Sequence, residues 1–246
     1  MSLLLPLTAR AQTAPPTGVP PLSTVQQFPE GTLDLGDLDL HIAIPIVAKA
    51  GRGTALTYTL GFDSDVWAPS ATWTPSPTWG WTGETDAATG YVLYSSESNE
   101  CAYGQYPNLQ YYHWSTYSSF EYVDTSGQVH QYNSGYLMDP PGPPAGVPCG
   151  ASGPSSYSGS DGQFTLSVSE TSGGLSFSAL SAAGTLFGPP AYVYGQHVAN
   201  GSGSLTDPNG NSLSANGSTF TDTLGVAELG ISGAGTPASP VRYAIA

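Results

Sequence analysis

"LDLGDLDLHIAIPI", residues 33–46, decides the fold. Apolar side chains recur at Leu33 and Leu35, slip by one residue at Gly36-Asp37, and resume at Leu38, Leu40, Ile42, Ile44 and Ile46. Strict period-two alternation is the mark of a strand with one buried face. A one-residue slip would turn every later apolar side chain outward unless the backbone compensates. The spacing therefore predicts one long strand, re-aimed at Gly36-Asp37 by a β-bulge or tight corner. Asp34, Asp37 and Asp39 fall opposite the apolar face or at the bend, where acids discourage edge-to-edge pairing.

Working outward, "KAGRG" at 49–53 reads as a turn, and "ALTYTLGF" at 55–62 as a second strand with Leu56, Tyr58, Leu60 and Phe62 on one face. The two strands should pair as a hairpin. "GYVLYSS" at 90–96 is a further strand. "FEYVDTSGQVHQY" at 120–132 and "QFTLSVSETSGGLSFSALS" at 163–181 are hairpins, with turns at Asp124–Gly127 and at the "TSGG" run. Between them, "MDPPGPPAGVPCGASGPSSYSGSDG" is a long turn-rich insertion. The C-terminal part repeats a short-strand, Gly/Asn-turn rhythm and ends in "VRYAIA", where Val241, Tyr243 and Ile245 alternate. No helix stands out. The fold class is all-β: an antiparallel β-sandwich or stacked twisted sheets with long Pro/Gly-rich loops and one disulfide.

Composition agrees. In 246 residues there are 31 Gly and 22 Pro, enough to punctuate many short strands, and 39% hydrophobic residues with 15 Tyr, enough to bury a core. Four basic against 18 acidic residues give a net charge of −14, which disfavours nucleic acid and anionic lipid. No apolar run approaches the roughly 18 residues of a membrane span. "LLLPLTA" followed by Ala9-Arg10-Ala11 predicts a signal-peptide remnant over 1–11, and the proline-rich residues 12–30 an extended arm. The β-rich region then runs 31–246, with a sub-boundary expected near 200. Export and two cysteines together predict a Cys101–Cys149 disulfide, the alternative being two buried thiols.

The ordered pieces resemble a known family. "LGDLDLHIAIPIVAKAGRGTALTYTLGFDSDVW", then "FEYVDTSGQVHQY", "SDGQFTLSVS" and "DPNGNSLSANGSTFTDTLG" are similar to the segment that precedes the repeats in bacterial secreted RHS/YD-repeat proteins. The likeness covers roughly residues 31–246, and the tyrosine-aspartate repeat array itself is absent from this sequence. It implies a secreted or cell-surface, non-enzymatic structural and interaction module, and it supplies no catalytic residues to carry over.

Chemical motifs are sparse. G-x-S-x-G does not occur, and His41, His113, His130 and His197 lack metal-site spacing. Asp63 with Asp65, or Glu97 with Glu100, could be nominated for paired-carboxylate hydrolysis, but any acidic protein offers such pairs, and solvated acids at strand ends are the better reading. Asp207, Asn209 and Asn211 in "DPNGN" partly match the start of a calcium loop, although Ser218 stands where the bidentate acid belongs. A tight Asn-Gly turn explains that segment without an ion, so neither metal nor cofactor is expected. The best ligand or interface candidates are aromatic: Trp73, Trp79, Trp81, Tyr111, Tyr112 and Trp114, suited to stacking on sugar rings or forming protein interfaces. The alternative is that these rings cap the core. Expected partners are other protein chains, including further copies of this one through strand addition into an extracellular filament, or a polysaccharide.

Overall fold

The structure, a computed structural model, describes residues 25–35, 38–49, 55–68, 74–76, 79–172, 174–197 and 201–245. The predicted signal remnant, most of the proline-rich arm, the "GRG" turn, Trp73 and Gly36-Asp37 lie outside the described residues.

The opening stretch is a hairpin, not one re-aimed strand. β2 (Gly31–Asp34) and β3 (Leu40–Lys49) run antiparallel, with Leu33 opposite Leu40 and Thr32 opposite His41. The slip in alternation falls in the connection between them. Leu38 has φ +64° and is 70% exposed, so it belongs to the turn and not to the apolar face. The Asp34 N–H donates to the Asp39 carbonyl, and the Asp39 carboxylate accepts from the Ser64 hydroxyl. The backbone of Asp34 and Asp39 closes the turn, and the Asp39 carboxylate ties it to the end of β4. A register shift does occur in β3, but later, between Pro45 and Val47.

β1 (Val25–Phe28), at the end of the predicted arm, pairs with β2. β4 (Leu56–Asp63) pairs antiparallel with β3 as expected. A short ladder of β5 (Trp67–Ala68) and β6 (Thr74–Pro75) follows, and β7 (Gly80–Thr82) returns to the far side of β4, completing a five-stranded sheet β1-β2-β3-β4-β7. A second sheet is built on the long hairpin of β8 (Tyr91–Tyr103) and β9 (Gln110–Val123), with β10 (Val129–Asp139) beside β9. The third sheet starts inside the predicted insertion with β11 (Ser156–Ser160) and continues through β12 (Phe164–Thr171), β13 (Gly174–Ser181) and β14 (Leu186–Gly188). β15 (Ala191–Val193) leaves it to pair in parallel with β8. β16 (Ser202–Thr206), β17 (Ser212–Asn216), β18 (Thr219–Asp222), β19 (Ala227–Ser232) and β20 (Arg242–Ile245) extend the third sheet to nine strands, with β14 hydrogen-bonded to β16 across residue 200.

The nine-stranded sheet is shared by two cores. Its C-terminal strands present Leu213, Ala215, Phe220 and Leu229 to Val47, Leu56 and Tyr58 of the five-stranded sheet. Its N-terminal strands present Leu166, Val168 and Ala179 to Val92, Phe120, Tyr122 and Leu137 of the second sheet. Each such side chain contributes about 1.5–3 kcal/mol on burial. The described chain is thus an all-β stack of antiparallel sheets, stapled by a disulfide between Cys101 and Cys149. With a sequence separation of 48, the staple restricts a loop worth up to about 4 kcal/mol in the unfolded chain.

One helix interrupts the β pattern. α1 (Glu84–Thr89) is only six residues long, too short to show a helical period in the sequence. It is held by tertiary bonds: the Tyr58 hydroxyl accepts from the Glu84 N–H, the Thr85 hydroxyl donates to the Gly201 and Gly217 carbonyls, and the Tyr122 hydroxyl donates to the Thr89 carbonyl. Gly203 lets β16 lie directly on it, since a Cβ there would come within 2.8 Å of Thr85 and Thr89 side-chain atoms. A buried polar helix therefore ties all three sheets together.

Candidate functional site

The connection from β9 to β10 recurs along the chain. In "DTSGQ" the Asp124 carboxylate accepts from the Ser126 and Gln128 N–H groups, and Gly127 takes φ +86°. The same D-x-x-G-x arrangement closes β16–β17 at Asp207 and β18–β19 at Asp222, and Ser181 plays the aspartate's part before Gly184. It is a type I turn followed by a left-handed glycine, which suits the right-handed twist of paired strands. The calcium candidates Asp207, Asn209 and Asn211 form one of these turns. N–H donors face that carboxylate: two from the backbone and the Asn211 amide at 2.8 Å. Among the described residues, no group of three His, Cys, Asp or Glu side chains is placed to hold a metal ion.

Sequence spacing missed the histidine–aspartate pairs, most of whose members lie far apart along the chain, Asp124 and His130 being the exception. His130, its side chain 1% exposed, lies between two turns: Nδ1 is 2.5 Å from Asp161 and Nε2 is 3.3 Å from Asp124. Its ring is flanked by Tyr122 and Phe164. Burial opposes the charged imidazolium, but hydrogen bonds and charge from both aspartates outweigh it and raise the His130 pKa. Burial likewise disfavours both carboxylates, yet the N–H donors and His130 hold each below its ordinary value. This is a closed lock between the β9–β10 and β11–β12 turns. A second closed contact joins fully buried Asp86 of α1 to His197 Nε2 at 2.7 Å, with the Tyr192 hydroxyl donating to the other carboxylate oxygen at 3.3 Å. There burial dominates and raises the Asp86 pKa against the pull of His197 and Tyr192.

His41 and Asp63 differ. They stand on paired strands with Nδ1 and Oδ2 3.9 Å apart, too far for a hydrogen bond. The other Asp63 oxygen accepts from the Asp65 N–H at 2.9 Å, so one of the carboxylates nominated for hydrolysis caps the end of β4. The pair opens on a cavity of about 270 Å³ between the five-stranded sheet and the β9–β10 turn. Phe62, Ala87, Tyr91 and Val123 supply apolar walls, and Thr59, Thr82 and Ser126 supply hydroxyl-bearing ones.

The predicted aromatic set divides into two groups. Trp79 (57% exposed) and Trp81 (54%) flank Gly80, and the register sets Trp81 on the face of the sheet opposite His41, Asp63 and Thr82, its ring 5.0 Å from that of Phe62. Tyr111, Tyr112 and Trp114 lie toward the other end of the β8–β9 hairpin, where Tyr111 opposes Ala102. The run from Tyr91 to Ala102 spans roughly 35 Å at strand rise. Tyr111 is exposed, whereas Tyr112 is buried and stacks on Trp114, so alternation sends one ring out and its neighbour in. Strand β10 flanks β9 only from Ser115 onward, leaving the distal hairpin a two-stranded ribbon, anchored at Cys101 by the disulfide. Glu97, just before this ribbon, and Glu100, on it, are exposed, with Glu100 3.7 Å from His113.

Comparison with protein-family models, with curated proteins and with solved structures finds no match in any of the three. Among the described residues no helix is long and apolar enough to cross a membrane.

Proposed function

We propose that the chain is a non-enzymatic structural and interaction module of the bacterial exterior, of the kind that the resemblance to the pre-repeat region of RHS/YD-repeat proteins implies. The observation that carries this reading is the distal ribbon. It projects past its flanking strand with Tyr106 (89% exposed), Leu109 and Tyr111 uncovered, and is stapled partway along at Cys101. Exposed aromatics on a pinned ribbon lose little conformational freedom on docking, which is how such side chains become interface anchors. Light scattering of the exported protein over a concentration series tests self-association. Oligomers that disperse in Tyr106→Ser/Tyr111→Ser support the ribbon as the contact, and turnover of any glycoside, ester or peptide substrate overturns the non-enzymatic reading.

A second reading is favoured by Trp79 and Trp81, each more than half exposed, which hold flat apolar faces in solvent. Such faces suit polysaccharide recognition.

A further inference from the structure

We infer that the His41–Asp63 cavity is a pocket for one neutral sugar ring. This rests on the polysaccharide reading and assigns binding atoms to it apart from the tryptophans. At about 270 Å³ the cavity lies just below the usual range for drug-sized ligands, which suits one ring better than a larger group. Its walls are of two kinds. Phe62, Tyr91, Val123 and Ala87 offer an apolar surface, whereas His41, Asp63, Thr59, Thr82 and Ser126 offer donors and acceptors. A pyranose has that same division: C–H faces and hydroxyl edges.

The 3.9 Å gap is the specific feature. A hydroxyl oxygen placed about 2.9 Å from Nδ1 and about 2.7 Å from Oδ2 would accept from the imidazole and donate to the carboxylate, the two directions meeting at roughly a right angle. One sugar hydroxyl fits that position. A carboxylate or phosphate does not, because Asp63 would repel it and the protein carries a net charge of −14.

The cavity is also kept open by construction. Its far wall is the β9–β10 turn, and Gly127 in that wall takes φ +86° and approaches His41, where a Cβ would sit 3.3 Å from Cε1. Asp124 of the same turn is held by His130. The closed lock thereby fixes one side of the open pair, which makes His130 a positioning residue for this pocket.

The test uses neutral oligosaccharides of glucose, galactose, mannose and N-acetylglucosamine, two to four units long, on a glycan array and then by calorimetry. Asp63→Asn keeps the acceptor for the Asp65 N–H, and Ala43→Leu fills the cavity without altering Trp81. Melting temperatures establish that each variant folds, and Asp63→Asn alone carries the test if Ala43→Leu does not. At least tenfold weaker binding in either variant supports the pocket. Binding unchanged in Asp63→Asn and lost in Trp81→Ala overturns the pocket and leaves surface recognition by tryptophan standing. Absence of saturable binding to every glycan overturns both.

Discussion

His130 and His41 carry the same chemistry into opposite situations. His130 is buried between two aspartates at 2.5 and 3.3 Å, and every polar atom of the arrangement is consumed in holding turns together. His41 keeps 3.9 Å from Asp63, at the edge of a cavity, with its side chain about a third exposed. Closed contacts of this kind order a fold, and an open pair on a cavity has bonding capacity to give to something else. Asp86–His197 belongs with the closed class, but inverted, since the carboxylate rather than the imidazole is the deeply buried member.

The largest effect should come from breaking the closed lock. His130→Ala leaves two carboxylates facing a void and removes a ring packed between Tyr122 and Phe164. It should destabilise the protein by about 3–5 kcal/mol in urea melts at pH 5. Because the lock positions the β9–β10 turn, the same variant should weaken any ligand that occupies the adjacent cavity.

The lock also predicts a pH profile. The His130 pKa is raised above 6.5, so its stabilisation is complete below 6.5 and disappears as pH rises through the raised value. The pKa values of Asp124 and Asp161 are lowered from 3.8, so theirs is complete above 3.8 and disappears as pH falls through the lowered values. All three contribute fully between 3.8 and 6.5. Melts of the wild type and His130→Gln should differ most in that interval, and their alkaline limbs should converge.

Asp86 has the opposite sign. Its raised pKa means that stability falls as pH climbs from 3.8 through the shifted value, because a buried carboxyl is being ionised. Asp86→Asn retains an acceptor for the Tyr192 hydroxyl and should flatten that fall, changing stability by about 1–2 kcal/mol, gaining on the wild type as pH rises. The smallest effect on stability, within about 0.5 kcal/mol, should follow Asp63→Asn, because the open pair makes no hydrogen bond to lose.

Much of the scaffold was legible in alternation and turn chemistry. Phe120 and Tyr122 are fully buried on their hairpin, and Val168 opposes Phe177 across the other. Two features were not. The Gly36-Asp37 slip reads equally as a bulge within a strand or as a reversal between two, and only the pairing of Leu33 with Leu40 decides. Helix α1 owes its existence to partners such as Tyr58, Gly201 and Tyr122, none of which is its neighbour in sequence. The candidate site was half legible. Exposed tryptophans could be picked out by type, whereas His41 and Asp63 meet only through the β3–β4 register. Asp161 reaches His130 only because two turns converge. The one local signal was "DTSGQVH", where the turn aspartate and His130 lie six residues apart on the same hairpin.

The most direct measurement is chemical-shift mapping of isotopically labelled protein titrated with the neutral oligosaccharide that the glycan array selects. Saturable shifts at His41, Phe62, Asp63, Thr82 and Ser126, with the His130 ring still bonded to both aspartates, are the expected result. Shifts confined to the Tyr106–Trp114 ribbon, or no saturable shift, would contradict the division between closed and open pairs.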